Sequence, residues 1–283
     1  MPSSRRKAIA PTWIFIPVAI LVGLTTALVA AQEVATVTTP ATVADEPIEQ
    51  PAAEFVVQTD VFVQADSRSN QKDLRVSRHA TYFLKDRIID VAVGESGGAE
   101  SAVILELVSG DITLLDSRRK KSCGLTYDEL IQTVAAVTSR LDDKPPIVQF
   151  AANAKFKVDW NEESGKLGMI AEPMGYLIHT SRQPTKSAAS LYRRFADMSA
   201  RLNATQPGGL PPAARLAINR ELGNHDAVPT RVERTRIDRK QKAYSTHQYR
   251  LNLDPAAIEV IQKVDSWSDE FESTDLVSYR LEK

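Results

Sequence analysis

The stretch HATYFLKDRIIDVAVGESGGAESAVILELVSGDITLLD, residues 79–116, decides the fold. Apolar, β-branched and aromatic residues fill short segments of it, and turn formers bound each one, which is the pattern of strands. His79–Leu84 and Arg87–Val93 flank a tight Lys85-Asp86 turn. Ala102–Val108 and Asp111–Leu115 flank Ser109-Gly110, a two-residue hairpin signal. Connections this short leave no room for a crossover helix, so these strands must pair antiparallel.

Working outward, the same pattern recurs on both sides. Phe55–Val63 reads as a strand before the quoted stretch. Lys155–Trp160, Leu167–Ala171 and Gly175–Thr180 read as a meander that turns at Glu163-Ser164-Gly165 and at Pro173, and Thr230–Ile237 with Ala243–Leu251 forms a last hairpin. Helical signals interrupt these strands. Thr126-x-x-Glu129 is a capping box followed by Leu130, Val134, Val137 and Leu141 at helical spacing, with Leu125 placed to staple onto Leu130. Leu191, Phe195, Met198 and Leu202 form a second stripe. Leu210-Pro211-Pro212 opens a third helix that Gly223 is placed to close, and Asp254-Pro255 caps a fourth carrying Ile258, Ile261 and Val264. The expectation is an α+β domain over residues 55–283: a curved, mostly antiparallel sheet of about 8–10 strands with about four inserted helices packed on it.

The chain before this domain has a different character. Arg5, Arg6 and Lys7 precede a stretch from Ala8 to Gln32 with no charged residue, apolar almost throughout from Trp13 to Ala31. A basic start followed by an apolar run is an export signal. Residues 1–31 therefore read as a signal peptide, with small residues ahead of a candidate cleavage point between Ala31 and Gln32, or as an uncleaved membrane anchor over residues 8–31. Either reading leaves the basic residues in the cytoplasm and the domain outside it, periplasmic or secreted if cut and tethered if not. Residues 32–54 hold three prolines, five acids and no base, the composition of an acidic, flexible linker. The net charge of −1 is thus a sum of unlike parts: +3 in the first segment, −5 in the linker and +1 in the domain.

Few residues carry chemical signals. Gly94-Glu95-Ser96-Gly97-Gly98 fits G-x-S-x-G, but a nucleophile elbow runs from strand into helix, and Ala102–Leu107 continues as strand. The segment reads as a glycine-rich hairpin turn, with a hydrolase using Ser96 as the minor alternative. The four histidines, His79, His179, His225 and His247, stand singly without metal-ligand spacing. No catalytic, cofactor-binding or metal-binding set is therefore assigned. Cys123 is the only cysteine, which excludes an internal disulfide and reads as a small apolar residue near a strand end, with a reactive thiol as the rarer alternative. Arg118, Arg119, Lys120 and Lys121, and the bases between Arg231 and Lys242, are solvated strand edges or a weak surface for anionic partners. The near-neutral domain lacks the basic surface and interleaved aromatics of a nucleic-acid binder, so no nucleic acid is expected.

Tyr82-Phe83-Leu84 with Arg87-Ile88-Ile89-Asp90, the run from Gly110 to Asp116, Leu125 to Leu130, Pro229 to Glu233, Leu251 and the helix after Asp254 together resemble a group of uncharacterised exported proteins of planctomycete-type bacteria. The likeness covers most of residues 55–270 and implies an exported α+β domain without implying an activity. In element order the chain also resembles, more distantly, the carriers and receptors of lipoprotein transport with the LolA/LolB-like fold. The functional expectation is a non-enzymatic envelope protein that binds a hydrophobic ligand, a lipid-like partner or an envelope protein in the concavity of its sheet. A tethered structural or assembly factor is the alternative.

Overall fold

The structure is a computed structural model and describes residues 54–65, 72–139, 141, 143–182, 187–236 and 241–281. The expected signal or anchor over residues 1–31, with Ala31 and Gln32, and the linker up to residue 53 lie outside the described residues. No helix among the described residues is long and apolar enough to cross a membrane.

The domain is α+β, as the strand pattern requires. Six strands follow one another as a meander: β1 (Phe55–Val63), β2 (Leu74–Phe83), β3 (Arg87–Val93), β4 (Ala99–Glu106), β5 (Ile112–Asp116) and β6 (Lys121–Leu125). Helices α1 (Tyr127–Thr138) and α2 (Pro146–Ala152) then lead to the far edge of the sheet, where β7 (Lys157–Asn161), β8 (Lys166–Ile170) and β9 (Met174–Arg182) form a second meander. Helices α3 (Ala188–Ala204) and α4 (Ala213–Asn224) precede β10 (Ala227–Arg236) and β11 (Gln241–Leu251). β11 pairs with β1 and so joins the two meanders into one sheet. Helix α5 (Pro255–Glu270), the two-residue β12 (Glu272–Ser273) and α6 (Leu276–Leu281) complete the chain. The sheet runs β12-β6-β5-β4-β3-β2-β1-β11-β10-β9-β8-β7, antiparallel except for the β12–β6 edge.

Two strands and two helices exceed the expected counts, and each is short. β6 reads KSCGL, with a lysine at its start and a glycine inside it. β12 is only two residues, held parallel to β6. α2 and α6 span seven and six residues, below the length at which helical periodicity shows. The β4–β5 connection is also wider than two residues. Gly110 takes φ +77 and donates its N–H to the Glu106 carbonyl, so Val108 leaves the strand and stands in the turn, 94% exposed. Gly223 lies inside α4 instead of closing it, and the left-handed residue after the helix is Asp226, with φ +46.

Both faces of the sheet are covered. Alternation sends Val56, Tyr82, Ile89, Ile104 and Leu115 to one face, where Ala257, Ile261, Val264 and Trp267 of α5 pack on them. Asp254 caps α5 by accepting a hydrogen bond from the Ala257 N–H at 2.8 Å, and Pro255 starts it. The opposite face meets α1, α3 and α6, which bury Phe55, Val57, Phe83, Ile88, Leu105, Ile112 and Leu114. The α1 capping box forms as the sequence predicts, and Leu125 and Leu130 share this cluster. At the β7–β10 side the same face packs on α4 through Ile218 and Leu222.

Candidate functional site

The face that carries α1, α3 and α4 changes character along the strands. Register places Leu251, Phe55, Phe83, Ile88, Leu105, Ile112 and Leu125 in one row across seven strands. The six from Phe55 to Leu125 are all buried. The next row on that face is Tyr249, Val57, Thr81, Asp90, Val103, Leu114 and Cys123. The third begins with His247, Thr59, His79, Ala92 and Ser101. Apolar side chains therefore give way to hydroxyls, imidazoles and a carboxylate within two rows.

The middle of this face is filled by the chain's own helices. Seven of its apolar side chains, Phe55, Val57, Phe83, Ile88, Leu105, Ile112 and Leu114, are at most 1% exposed. At the apolar end a groove of about 620 Å³ opens between the β4–β5 turn and helices α1 and α3. Leu105, Tyr127 and Ala189 give it an apolar lining, Val108 stands at the turn, and Ser190, Arg193, Arg194 and Asp197 supply polar groups. The Arg194 guanidinium donates to the Leu107 carbonyl, which ties α3 to the turn. Arg193 pairs with Asp197 at 3.9 Å, and Asp197 also accepts from the Asn219 amide at 2.8 Å.

At the polar end two histidines are held in contrasting states. His79 Nδ1 lies 3.0 Å from Asp90 Oδ2, and Thr81 Oγ1 donates to Asp90 Oδ1 at 2.7 Å. Desolvation disfavours the His79 imidazolium, but the hydrogen bond and charge of Asp90 outweigh it and lift its pKa above the ordinary histidine value. His247 is buried between Thr59 Oγ1, 3.1 Å from Nδ1, and Ser245 Oγ, 2.9 Å from Nε2. Burial, reinforced by the charge of Arg215, lowers its pKa to about 3, so it is neutral at any physiological pH. The Tyr192 ring of α3 meets His247 edge-on at 6.1 Å.

The residues singled out from sequence fall elsewhere. Ser96 sits exposed in the β3–β4 turn, where Gly97 takes φ +85 and the Gly94 N–H bonds to the Gly98 carbonyl. This is the hairpin turn expected, and each histidine is engaged away from it: His79 with Asp90, His247 with Thr59 and Ser245, His179 with Glu233, and His225 stacked on Trp160. Cys123 is buried in the helix-covered core, and burial pushes its thiol pKa up, the opposite of what a nucleophile needs. Arg118, Arg119, Lys120 and Lys121 span the β5–β6 turn, with Lys120 at φ +51. Arg118 pairs with Glu100, Arg119 with Asp116 at 2.8 Å and Lys121 with Glu272 at 2.9 Å. In the second basic stretch Arg231 pairs with Glu233 at 2.7 Å and lies over the Tyr244 ring, and residues 237–240 lie outside the described residues. Among the described residues no group of three or more His, Cys, Asp or Glu is placed to hold a metal ion.

Sequence reasoning missed both the groove and the polar row. The groove is made by the turn at Val108 meeting two helices far along the chain, and the polar row joins Thr59 to His247, which are 188 residues apart. No family model matches the chain, and no curated protein matches it.

Proposed function

We propose that the chain is an exported, non-enzymatic envelope protein that holds a lipid-like amphiphile on the helix-covered face of its sheet. The observation that carries this reading is the groove at the β4–β5 turn. Its volume of about 620 Å³ falls within the range of ligand sites, which is about 300–1,000 Å³. Its composition is divided: Leu105, Tyr127 and Ala189 offer apolar contact, while Arg193, Arg194 and Ser190 offer hydrogen-bond donors. Val108 is an apolar side chain fully in solvent beside this opening, and an acyl chain laid along it would cover it. The apolar run over residues 8–31 and the acidic linker after it support an outer location for such a groove, in a secreted or periplasmic domain or in one tethered to the cytoplasmic membrane.

The rival readings have less behind them. A hydrolase through Ser96 would require a base that the four histidines, committed elsewhere, do not provide. A tether to anionic envelope components would use Arg118, Arg119, Lys120 and Lys121, of which three already face acids of the same chain. Titration of the purified protein with a fluorescent fatty acid tests the proposal. Saturable binding is expected, weakened by Val108→Asp, which places a charge beside the acyl path, and by Arg194→Ala, which frees the turn from α3. Binding of equal strength in both variants would rule the groove out.

A further inference from the structure

The sheet ends differently at its two sides. One edge finishes in the two-residue β12, which runs parallel to β6 and leads into α6. The other finishes in β7, which is five residues long and, among the described residues, pairs only with β8. One side of the β7 backbone therefore presents unpaired N–H and C=O groups, a template for a further strand.

The side chains of β7 divide between two faces. Val158 is in register with Met169 and Trp160 with Leu167, both buried in the cluster that α4 covers, so Val158 and Trp160 stand on the helix-covered face. Phe156, just before the strand, packs on the same cluster and meets Phe150 of α2 edge-on at 5.4 Å. Trp160 is stacked on His225 at 4.1 Å, whereas Val158, between the two aromatic residues, is left 43% exposed. Lys157 and Asp159 emerge on the other face, in register with Ile170 and Gly168 of β8. Both are exposed, and neither side chain is ion-paired among the described residues.

We propose that β7 pairs antiparallel with β7 of a second copy of this chain, about a two-fold axis perpendicular to the sheet at Val158, so that two sheets join into one. The sequence of the strand is self-complementary about that point. Val158 meets Val158 of the partner subunit, Lys157 meets Asp159 of the partner subunit, and Phe156 meets Trp160 of the partner subunit. The axis repeats the last two pairs, so opposite charges match on one face and apolar side chains match on the other, the pairs that stabilise a sheet. An axis at Asp159 or at Lys157 would instead set two like charges directly opposite each other. The contact uses none of the apolar or basic residues assigned to the groove and does not rest on the groove being occupied.

Sedimentation velocity of the full chain in a nonionic detergent tests this. The parent should show a concentration-dependent equilibrium between monomer and dimer. Lys157→Glu sets like charges opposite each other on both sides of the axis and should weaken the dimer about tenfold or more. Adding Asp159→Lys to that variant restores opposite charges in the same register and should restore the dimer. Both positions are exposed, so each variant should keep the urea midpoint of the parent. Val158→Cys reads the register directly and should give a disulfide-linked dimer on mild oxidation, because paired Cα atoms there lie within disulfide reach. Asn161→Cys should not link, since its two copies would stand about 20 Å apart along the strands. A parent that stays monomeric, a dimer that Lys157→Glu leaves intact, a double reversal that restores nothing, or equal linking at the two cysteines would overturn the proposal.

Discussion

Neutral His247 makes the domain acid-sensitive in a window that carboxylates do not share. Its ring is buried between two hydroxyls, and the charge of Arg215 adds to the desolvation with no carboxylate to stabilise an imidazolium. The folded-state pKa of about 3 lies below the ordinary value of 6.5. Between these values the unfolded chain holds one proton more than the folded one, so stability falls as pH falls, by about 1.4 kcal/mol per pH unit. From about pH 6 to about pH 4.5 the loss comes to about 2 kcal/mol, or roughly 1 M in a urea midpoint. His79 acts with the opposite sign. Its raised pKa contributes stability that is complete below its ordinary value of 6.5 and lost as pH rises through the folded value. Asp60 is held below the usual carboxylate range because hydrogen bonds from Arg78 and Gln58 and the nearby arginine charges outweigh desolvation, so its contribution is lost only as pH falls below 3.8. Urea unfolding followed by tryptophan fluorescence, for the parent and His247→Gln, isolates the His247 share. Glutamine keeps a donor and an acceptor for Ser245 and Thr59 but does not titrate. The parent should lose about 2 kcal/mol more than the variant across this window. Parallel pH dependences in the two proteins would refute the assignment of a neutral, buried His247.

Other outcomes follow from the packing. Leu130 is fully buried where α1 meets the sheet, and Leu130→Ala should cost about 2–5 kcal/mol in the same urea assay. Asp254→Ala removes the hydrogen bond to the Ala257 N–H that starts α5 and should cost about 1 kcal/mol, measured as a shift in the unfolding midpoint. Cys123 should resist a maleimide in the native protein and react at once in denaturant, seen by intact mass; rapid native labelling would contradict its burial.

The sheet was legible because its strands announce themselves locally. Phe55–Val63 and Arg87–Val93 are found with the bounds their apolar patterns set, and the Leu84 N–H to Arg87 carbonyl bond closes the turn at Lys85-Asp86. Thr126–Glu129 and Asp254-Pro255 marked helix starts through hydrogen bonds made within one turn, which sequence displays directly. The candidate site was hidden for the converse reason. Whether Thr81 faces Asp90, or Thr59 faces His247, depends on cross-strand register, and the second pairing closes only when β11 returns to β1. Val108 read as a strand residue because its β-branched side chain outweighs, in sequence, a turn widened by Gly110.

The central claim is that the helix-covered face of this sheet carries a lipid-like ligand. Native mass spectrometry of the full chain, released gently from the membrane and periplasmic fractions of its host, measures this directly. The account predicts a bound species of lipid-like mass on the parent protein that is depleted in Val108→Asp. A parent spectrum with the bare polypeptide mass alone, under conditions that preserve known lipid complexes, would contradict it.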